Sequence, residues 1–538
     1  MAKAPGIVAR VVDALVATVA PRAALERAES RETMMRRQAT REARLRYEAA
    51  KRDRVSSSPR VGSADHHLHG DLRTLRDASR RLVRDDAHAA AAVRVKVDNV
   101  VGDGINVQAA VQAREAGISE SAAREFNDAA ERNWREWCAE HCDATGRSSF
   151  HDLTRLIYQT RLVDGETFVH ETSLQRDGGP TMALELIDAD RVDETYVDGK
   201  RELRNGVELD SNGRAVGYWV RPYHPDDIPY TPNVGDNEPD RLKAKTGRDS
   251  FGVVHVFDRQ RPGQTRGVPM LVPALPLFEH LHHYLDSEII AARVNANFAM
   301  YVRRPVDPAS DPSIWSEVTD EGNGGGQVER YHEFTQPGTI EYLNPGEEIQ
   351  SFAHNRPGTT FDPFVARILR AIAAACNLPY EMILKDFGGM NYSSARVALL
   401  EARRGFDCER NQLVSGWIRP TYETVTLDAM QRGRLPQLAE AGRDARPFLR
   451  ARYIAAPYGL VDPTKEVAAA RDAIAAGLST RDHEAARAGL DAGEILEATA
   501  RDARKALDLE RDNDLPPGTL LQSAAGTAEP PTNEDPTE

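Results

Sequence analysis

The stretch DFGGMNYSS, Asp386 to Ser394, is a glycine-broken polar loop of the kind that can cradle a phosphate. Helical patterns flank it on both sides, and no catalytic lysine, histidine or acid cluster accompanies it. A second glycine run, GNGGGQ at 322–327, lacks the strand-to-helix context of a nucleotide loop and reads as a flexible turn. The phosphate-loop pattern G-x-x-x-x-G-K-[ST] is absent, and no Gly-Lys-Ser/Thr occurs anywhere, which argues against a motor ATPase. Asp188 and Asp190 in ELIDADRVDE are paired carboxylates that a magnesium-dependent nuclease would need, but such pairs are common at strand ends. His280, His282 and His283 in FEHLHHYL form a poor chelate, because on a helix positions 279 and 283 share a face but 280 and 282 do not. His66, His67 and His69 in ADHHLHG cluster in an expected loop. Cys138 and Cys142 in WREWCAEHC lie four apart beside Trp134 and His141, and a metal there would need two more ligands, so packing is the expectation. Ser393 and Ser394 precede a helix, where capping accounts for them, and no G-x-S-x-G elbow is present. No catalytic or metal residue emerges.

Composition narrows the classes further. A chain of 538 residues exceeds one compact core and predicts several domains. Apolar residues make up 41% and charged residues 28%, with no run long enough for a membrane span. VVDALVATVA near the start is short, contains Asp13 and runs into an amphipathic pattern, so it does not read as a secretion signal. Four cysteines in so long a chain do not make a disulfide framework, and a reducing compartment is expected. The net charge is −14, yet residues 1–60 hold fourteen Lys/Arg against seven Asp/Glu, leaving −21 for the remainder. A body that acidic repels nucleic acid, because tight binding rests on Lys/Arg displacing counterions.

Periodicity orders the elements that must position these residues. An arginine-rich helix precedes the polar break RDRVSSSPR, and LRTLRDASRRLVRDDAHAAAAVRVKV (72–97) carries apolar and basic positions at helical spacing. NVVGDGI turns into an extended segment, residues 119–143 read as a helix, and SSFHDLTRLIYQTRLVDGE as another with a serine cap. A hairpin is expected around the DGG of 177–179, a second around SNG at 211–213, and a strand in FGVVHVFDR. A long helix should run from Leu277 to Tyr301, with Pro273 and Pro276 at its start. After a loop-rich stretch, Phe361, Phe364, Val365, Ile368, Leu369 and Ile372 share one helical face and Arg367 and Arg370 another. A helix from about Ser394 should kink near Gly416 and Pro420. Helices broken at Gly477 and Gly489 follow, and the tail from about Arg511 reads as disordered.

In this order the chain resembles the lambda-type phage portal proteins. RYEAAKRD (46–53), LRTLRDASRRLVRDDAHAAAAVRVKVDNVVGDGI (72–105), ALELIDADRV (183–192) and NGVELDSNGRAVGYWV (205–220) carry the likeness. So do VVHVFDRQRPGQTRGVPMLVPAL (253–275), LPYEMILKDFGGMNYSSARVALLEARR (378–404) and GLVDPTKEVAAARDAIAAGLST (459–480). HVFDRQRPGQTRGVP and MNYSSAR are the most specific pieces, and the likeness spans roughly 45–510.

The resemblance implies an α+β portal-type fold: mixed α/β wing, helical stem, small α/β clip and helical C-terminal crown. It divides the chain into a basic arm (1–60), wing (60–265), stem helix (266–300), clip (301–358) and second stem helix (359–377) carrying Arg367 and Arg370. A tunnel loop (378–393), kinked wing helix (394–435), crown region (436–510) and disordered acidic tail (511–538) complete it. By the same resemblance Asp386, Phe387, Gly388, Gly389, Met390, Asn391 and Tyr392 face passing DNA. About twelve copies would form a ring at one capsid vertex, assembled in the host bacterial cytoplasm and carried in the virion. Double-stranded DNA would pass through, weakly bound. The terminase large subunit, major capsid and scaffold proteins and head-tail connector proteins would be partners, with no cofactor, metal, membrane or enzymatic activity. Two alternatives are a packaging-associated nuclease using Asp188 and Asp190, and a minor capsid protein.

Overall fold

The computed structural model describes residues 62–176, 179–198, 201–227, 237–248, 250–297, 301–303, 348–350, 361–436, 444–459, 462–516 and 518–522. The arm, the GNGGGQ turn, most of the expected clip and the end of the acidic tail lie outside them. The chain divides into two compact units, residues 1–276 with 372–538, and residues 277–371.

The first unit opens with α1 (Ala64–Leu68), α2 (Leu72–Asp85) and α3 (Ala87–Val100). His66 and His67, expected in a loop, sit in α1 because Ser63 caps it, its side chain accepting from the His66 amide. The helical pattern over 72–97 is two helices, since Asp86 adopts extended backbone and its carboxylate caps α3 at the Ala89 amide, 2.8 Å away. The buried face of α2 contains Arg76 as well as Leu72, Leu75 and Ser79, so an apolar count of that face misreads it.

Gly102 and Gly104 lead into β1 (Ile105–Ala109). Next come α4 (Glu120–Glu136), a π-helical turn at Trp137–His141, and α5 (Phe150–Asp164). Ser149 and Asp152 form a capping box at the start of α5, as its serine predicts. Trp134, Trp137, Phe150, Trp417 and Tyr422 pack ring against ring with centroids 5.0–5.7 Å apart. Cys138 and Cys142 are buried beside them as free thiols, and burial pushes the Cys138 thiol up.

Strands β2 (Glu166–Arg176), β3 (Gly179–Ile187) and β8 (Val253–Phe257) make an antiparallel sheet in the order β3-β2-β8. β4 (Leu203–Arg204), β5 (Val207–Leu209), β6 (Ala215–Val220) and β7 (Asp240–Lys243) make a second, in sequence order. The hairpin around SNG joins β5 to β6, and Asn205-Gly206, with φ of 51° and 82°, turns β4 into β5. Phe168, Ile187, Val207, Tyr218 and Val253 fill the core shared by the two sheets.

Helix α6 (Leu275–Asn297) carries the chain across the boundary between the units. It stops short of Tyr301, which belongs to β9 (Tyr301–Arg303), paired with β10 (Glu348–Gln350). Helices α7 (Phe361–Ala375), α8 (Tyr380–Leu384) and α9 (Tyr392–Leu413) follow. The bend near Pro420 is a π-helical turn, Val414–Ile418, ahead of α10 (Arg419–Gln431). Proline offers no amide and its ring crowds the carbonyl four residues earlier, that of Gly416, so the turn widens there.

Beyond residue 436 the chain is not only helical. β11 (Ala451–Ala455) pairs with β1 across more than three hundred residues. Helices α11 (Pro463–Ala475), α12 (Arg481–Arg487) and α13 (Ala492–Asp512) are separated at Gly477 and Gly489, both with positive φ. α13 runs past the expected start of the tail at Arg511, and the buried Glu510 accepts from the amides of Gly518 and Leu520.

Candidate functional site

The segment between α7 and α9 is built from three tight turns. Asn377, at φ 54°, closes α7, with the Leu378 amide returning to the Ala373 carbonyl. Lys385, at φ 55°, closes α8 in the same left-handed way. The irregular part is therefore Lys385–Asn391, shorter than the expected 378–393. Asp386 Oδ1 accepts from the Gly388 amide at 3.0 Å, and the Phe387 carbonyl accepts from Met390. Asn391 caps α9, accepting from the Ser394 amide at 2.8 Å. Tyr392, read as loop, is the first residue of that helix, and capping falls to Asn391 rather than to Ser393 or Ser394.

Every residue from Asp386 to Tyr392 is exposed except the half-buried Met390. Phe387 and Tyr392 keep 48% and 56% of their surface open, unusual for side chains that gain most from burial. Neither Gly388 nor Gly389 has a left-handed backbone. A methyl group added at Gly389 would meet nothing within 4 Å, and at Gly388 only Asp386 Oδ1 at 3.3 Å. The fold of this chain does not require glycine at either position.

Helix α9 has no buried residue before Ala402. From there it is clasped: Arg403 donates to the Gly459 carbonyl at 2.7 Å, and the Tyr458 ring meets the guanidinium groups of Arg403 and Arg410 at 5.1 and 4.9 Å. The Tyr458 hydroxyl donates to Asp407. Deeper in, Lys96 and Tyr158 both bond Glu409, tying α3 and α5 to the helix.

Arg367 and Arg370 are exposed on α7. Of the face assigned to its core, Leu369 and Ile372 are buried, whereas Phe364 is 47% exposed. Within the second unit Phe361 and Phe364 stack on Tyr284, with centroids 5.8 and 4.7 Å away. His280, His282 and His283 are exposed on α6 and, among the described residues, belong to no ligand cluster.

Asp188, Asp190 and His224 do approach one another closely enough to share an ion. Arginines already occupy that position. Arg80 reaches Asp190 at 2.6 Å, Asp164 at 2.6 Å and Asp188 at 3.0 Å, and Arg76 reaches Asp190 at 2.7 Å. Burial opposes the charge on Asp190, but Arg76 and Arg80 outweigh it and hold its carboxyl below the usual range. Two guanidinium groups at these carboxylates are the wrong charge for a magnesium site.

This cluster is the outer end of a buried ion network centred on Glu166. Arg266 grips both carboxylate oxygens of Glu166 at 2.9 Å, and Arg76, His255 and the Gly267 amide bond it at 2.9–3.3 Å. Arg266 also donates to the carbonyls of Asn205 and Ala189. Burial works against the Glu166 charge, yet Arg266 and His255 hold its carboxyl far below the usual range. Burial likewise pushes His255 below its ordinary value. The motif RQRPGQTRGVP thus serves structure: Thr265 bonds Asp65, Arg266 fills the network, and a methyl group at Gly267 would lie 2.0 Å from the Gly165 carbonyl oxygen. Sequence reasoning missed the network. Its one visible trace was Arg76 and Arg80, four apart on a single helix face.

The sequence matches the family described as "Phage portal protein, lambda family" over residues 51–410. It is 26% identical to the "Probable portal protein" of Halomonas phage phiHAP-1, over 91% of this chain and 92% of that protein. It is also 26% identical to "Portal protein B" of Escherichia phage lambda, over 78% of this chain and 81% of that one. A chain in the neck of an empty GTA particle is similar at TM-score 0.40 and 14% identity, over 81% of this chain and 96% of that one.

Proposed function

The chain belongs to the lambda family of phage portal proteins, and from that premise we propose that it closes into a ring of about twelve copies through which double-stranded DNA is packaged and ejected. In this reading Asp386–Tyr392 line the tunnel. The observation that carries it is the pair Gly388 and Gly389, which neither backbone geometry nor packing requires, within a loop that exposes an aromatic at each end. Glycine there keeps backbone freedom, and Met390, Asn391 and Tyr392 offer soft and polar contacts to a moving duplex.

Charge supports a conduit over a clamp. A net charge of −14 per copy, taken about twelve times, gives a ring near −170, which repels phosphates instead of holding them. With no Gly-Lys-Ser/Thr in the sequence, the energy for packaging falls to a separate terminase that docks on the ring. The ring would also nucleate head assembly with capsid and scaffold proteins and receive the head-tail connectors. The nuclease alternative loses its support, because Arg76 and Arg80 neutralise the carboxylates it needs.

Negative-stain electron microscopy of the purified protein tests the ring: closed particles with a central hole are expected, and only monomers or dimers across salt and concentration would overturn it. Deleting Gly388–Asn391 tests the loop. Rings should form as before while DNA packaging or retention fails, and normal packaging would remove the loop from the tunnel.

A further inference from the structure

The first unit contains a half-open cavity of about 440 Å³ between the two sheets, the 244–248 turn and the π-helical bend. Its floor is apolar, formed by Val207, Leu209, Tyr218 and Val253. Its rim carries Arg214, Lys245, Arg248 and Arg259, an unusual concentration of positive charge in a body of net −21. Lys245 is committed to Glu171 at 2.5 Å and Arg248 to Glu423 at 2.6 Å. The other two have no acidic partner among the described residues. Arg214 bonds only the Thr246 carbonyl with its guanidinium, and Arg259 has no hydrogen-bond or ion-pair partner among the described residues. Arg259 also stands in the VFDRQRPGQTRG motif, where Arg261, Gln264, Thr265, Arg266 and Gly267 all have structural work and it has none.

We propose that this cavity is a docking site for the acidic, proline-containing segment 523–538 of a copy of this chain. SAAGTAEPPTNEDPTE carries Glu529, Glu534, Asp535 and Glu538 with no Lys or Arg, so its charge complements the uncompensated arginines. Pro530, Pro531 and Pro536 have no amide to desolvate and suit an apolar floor. The volume accommodates a few residues of such a peptide, with carboxylates at the rim. The basic segment 1–60 fails on charge. A DNA duplex fails on shape, since a concave apolar floor meets nothing on a phosphate backbone. The inference holds whether or not the Asp386–Tyr392 loop meets DNA.

The test uses the full chain with p-benzoylphenylalanine at position 246, on the cavity rim, irradiated and mapped by mass spectrometry. Crosslinks to residues 523–538, within one copy or between copies, are expected. Arg214→Gln with Arg259→Gln should lower their yield about tenfold, since each change removes a charge-assisted contact. The independent set Glu529→Gln, Glu534→Gln, Asp535→Asn and Glu538→Gln should lower it comparably. Crosslinks that map elsewhere, or a yield unchanged in both sets, would overturn the proposal. So would an added DNA duplex that crosslinks at position 246 and displaces the segment.

Discussion

Two glycine-containing segments of the chain obey opposite rules. HVFDRQRPGQTRGVP is buried, charged and over-determined: Arg266 is fully enclosed with four side-chain hydrogen bonds, and Gly267 has no space for a methyl group. DFGGMNY is exposed and under-determined, with two glycines that nothing in the fold demands. Motif strength in a sequence does not distinguish the two cases. One is fixed by packing and electrostatics, the other by what passes it, on the reading proposed above.

The largest effect should come from breaking the network. Glu166→Gln or Arg266→Met leaves the partner charge buried, and either should cost about 3–5 kcal/mol in chemical denaturation, or prevent accumulation of folded protein. The double variant should recover part of that loss; an additive double variant would show that the two groups do not act as a pair. Gly267→Ala should cost about 1–3 kcal/mol or more through overpacking against Gly165, read as a fall in the denaturation midpoint.

Acid should expose the same network in two stages. His255 is held neutral in the folded protein, so as pH falls through about 6.5 the unfolded chain binds a proton first and stability drops. Glu166 and Asp190 have depressed carboxyls, so their contribution is complete above about pH 5 and is lost as pH falls further toward their folded values. Thermal midpoints between pH 8 and 3 check both stages, and His255→Gln should remove the first.

The smallest stability effect belongs to the loop. Gly388→Ala with Gly389→Ala should leave the thermal midpoint unchanged or raise stability by about 0.4–1 kcal/mol, because backbone freedom is lost in the unfolded chain without strain in the folded one. The same variant should impair DNA packaging. A destabilised loop variant would erase the contrast with Gly267.

Local features were legible before the structure. The Ser149 cap, the hairpins around DGG and SNG, the breaks at Gly477 and Gly489 and the bend before Pro420 follow from side-chain and backbone chemistry acting over a few residues. The family likeness was legible too, since it needs only order and residue identity. Features with distant partners were not. β11 was hidden because its partner among the described residues, β1, lies over three hundred residues away. Arg76 stood among the basic positions of a helical pattern and Asp188 and Asp190 among carboxylates common at strand ends, and only the fold set them against each other. Tyr392 was placed in the loop because Asn391 was not recognised as the cap.

The sequence by itself determined the turns, the caps, the acidic balance and the family, because each depends on composition or on neighbours in the chain. Tertiary structure alone decided which charges are buried together and which glycines are required. A carboxylate's role depends on the cation that burial places beside it, and a glycine's on the atoms a methyl group would strike.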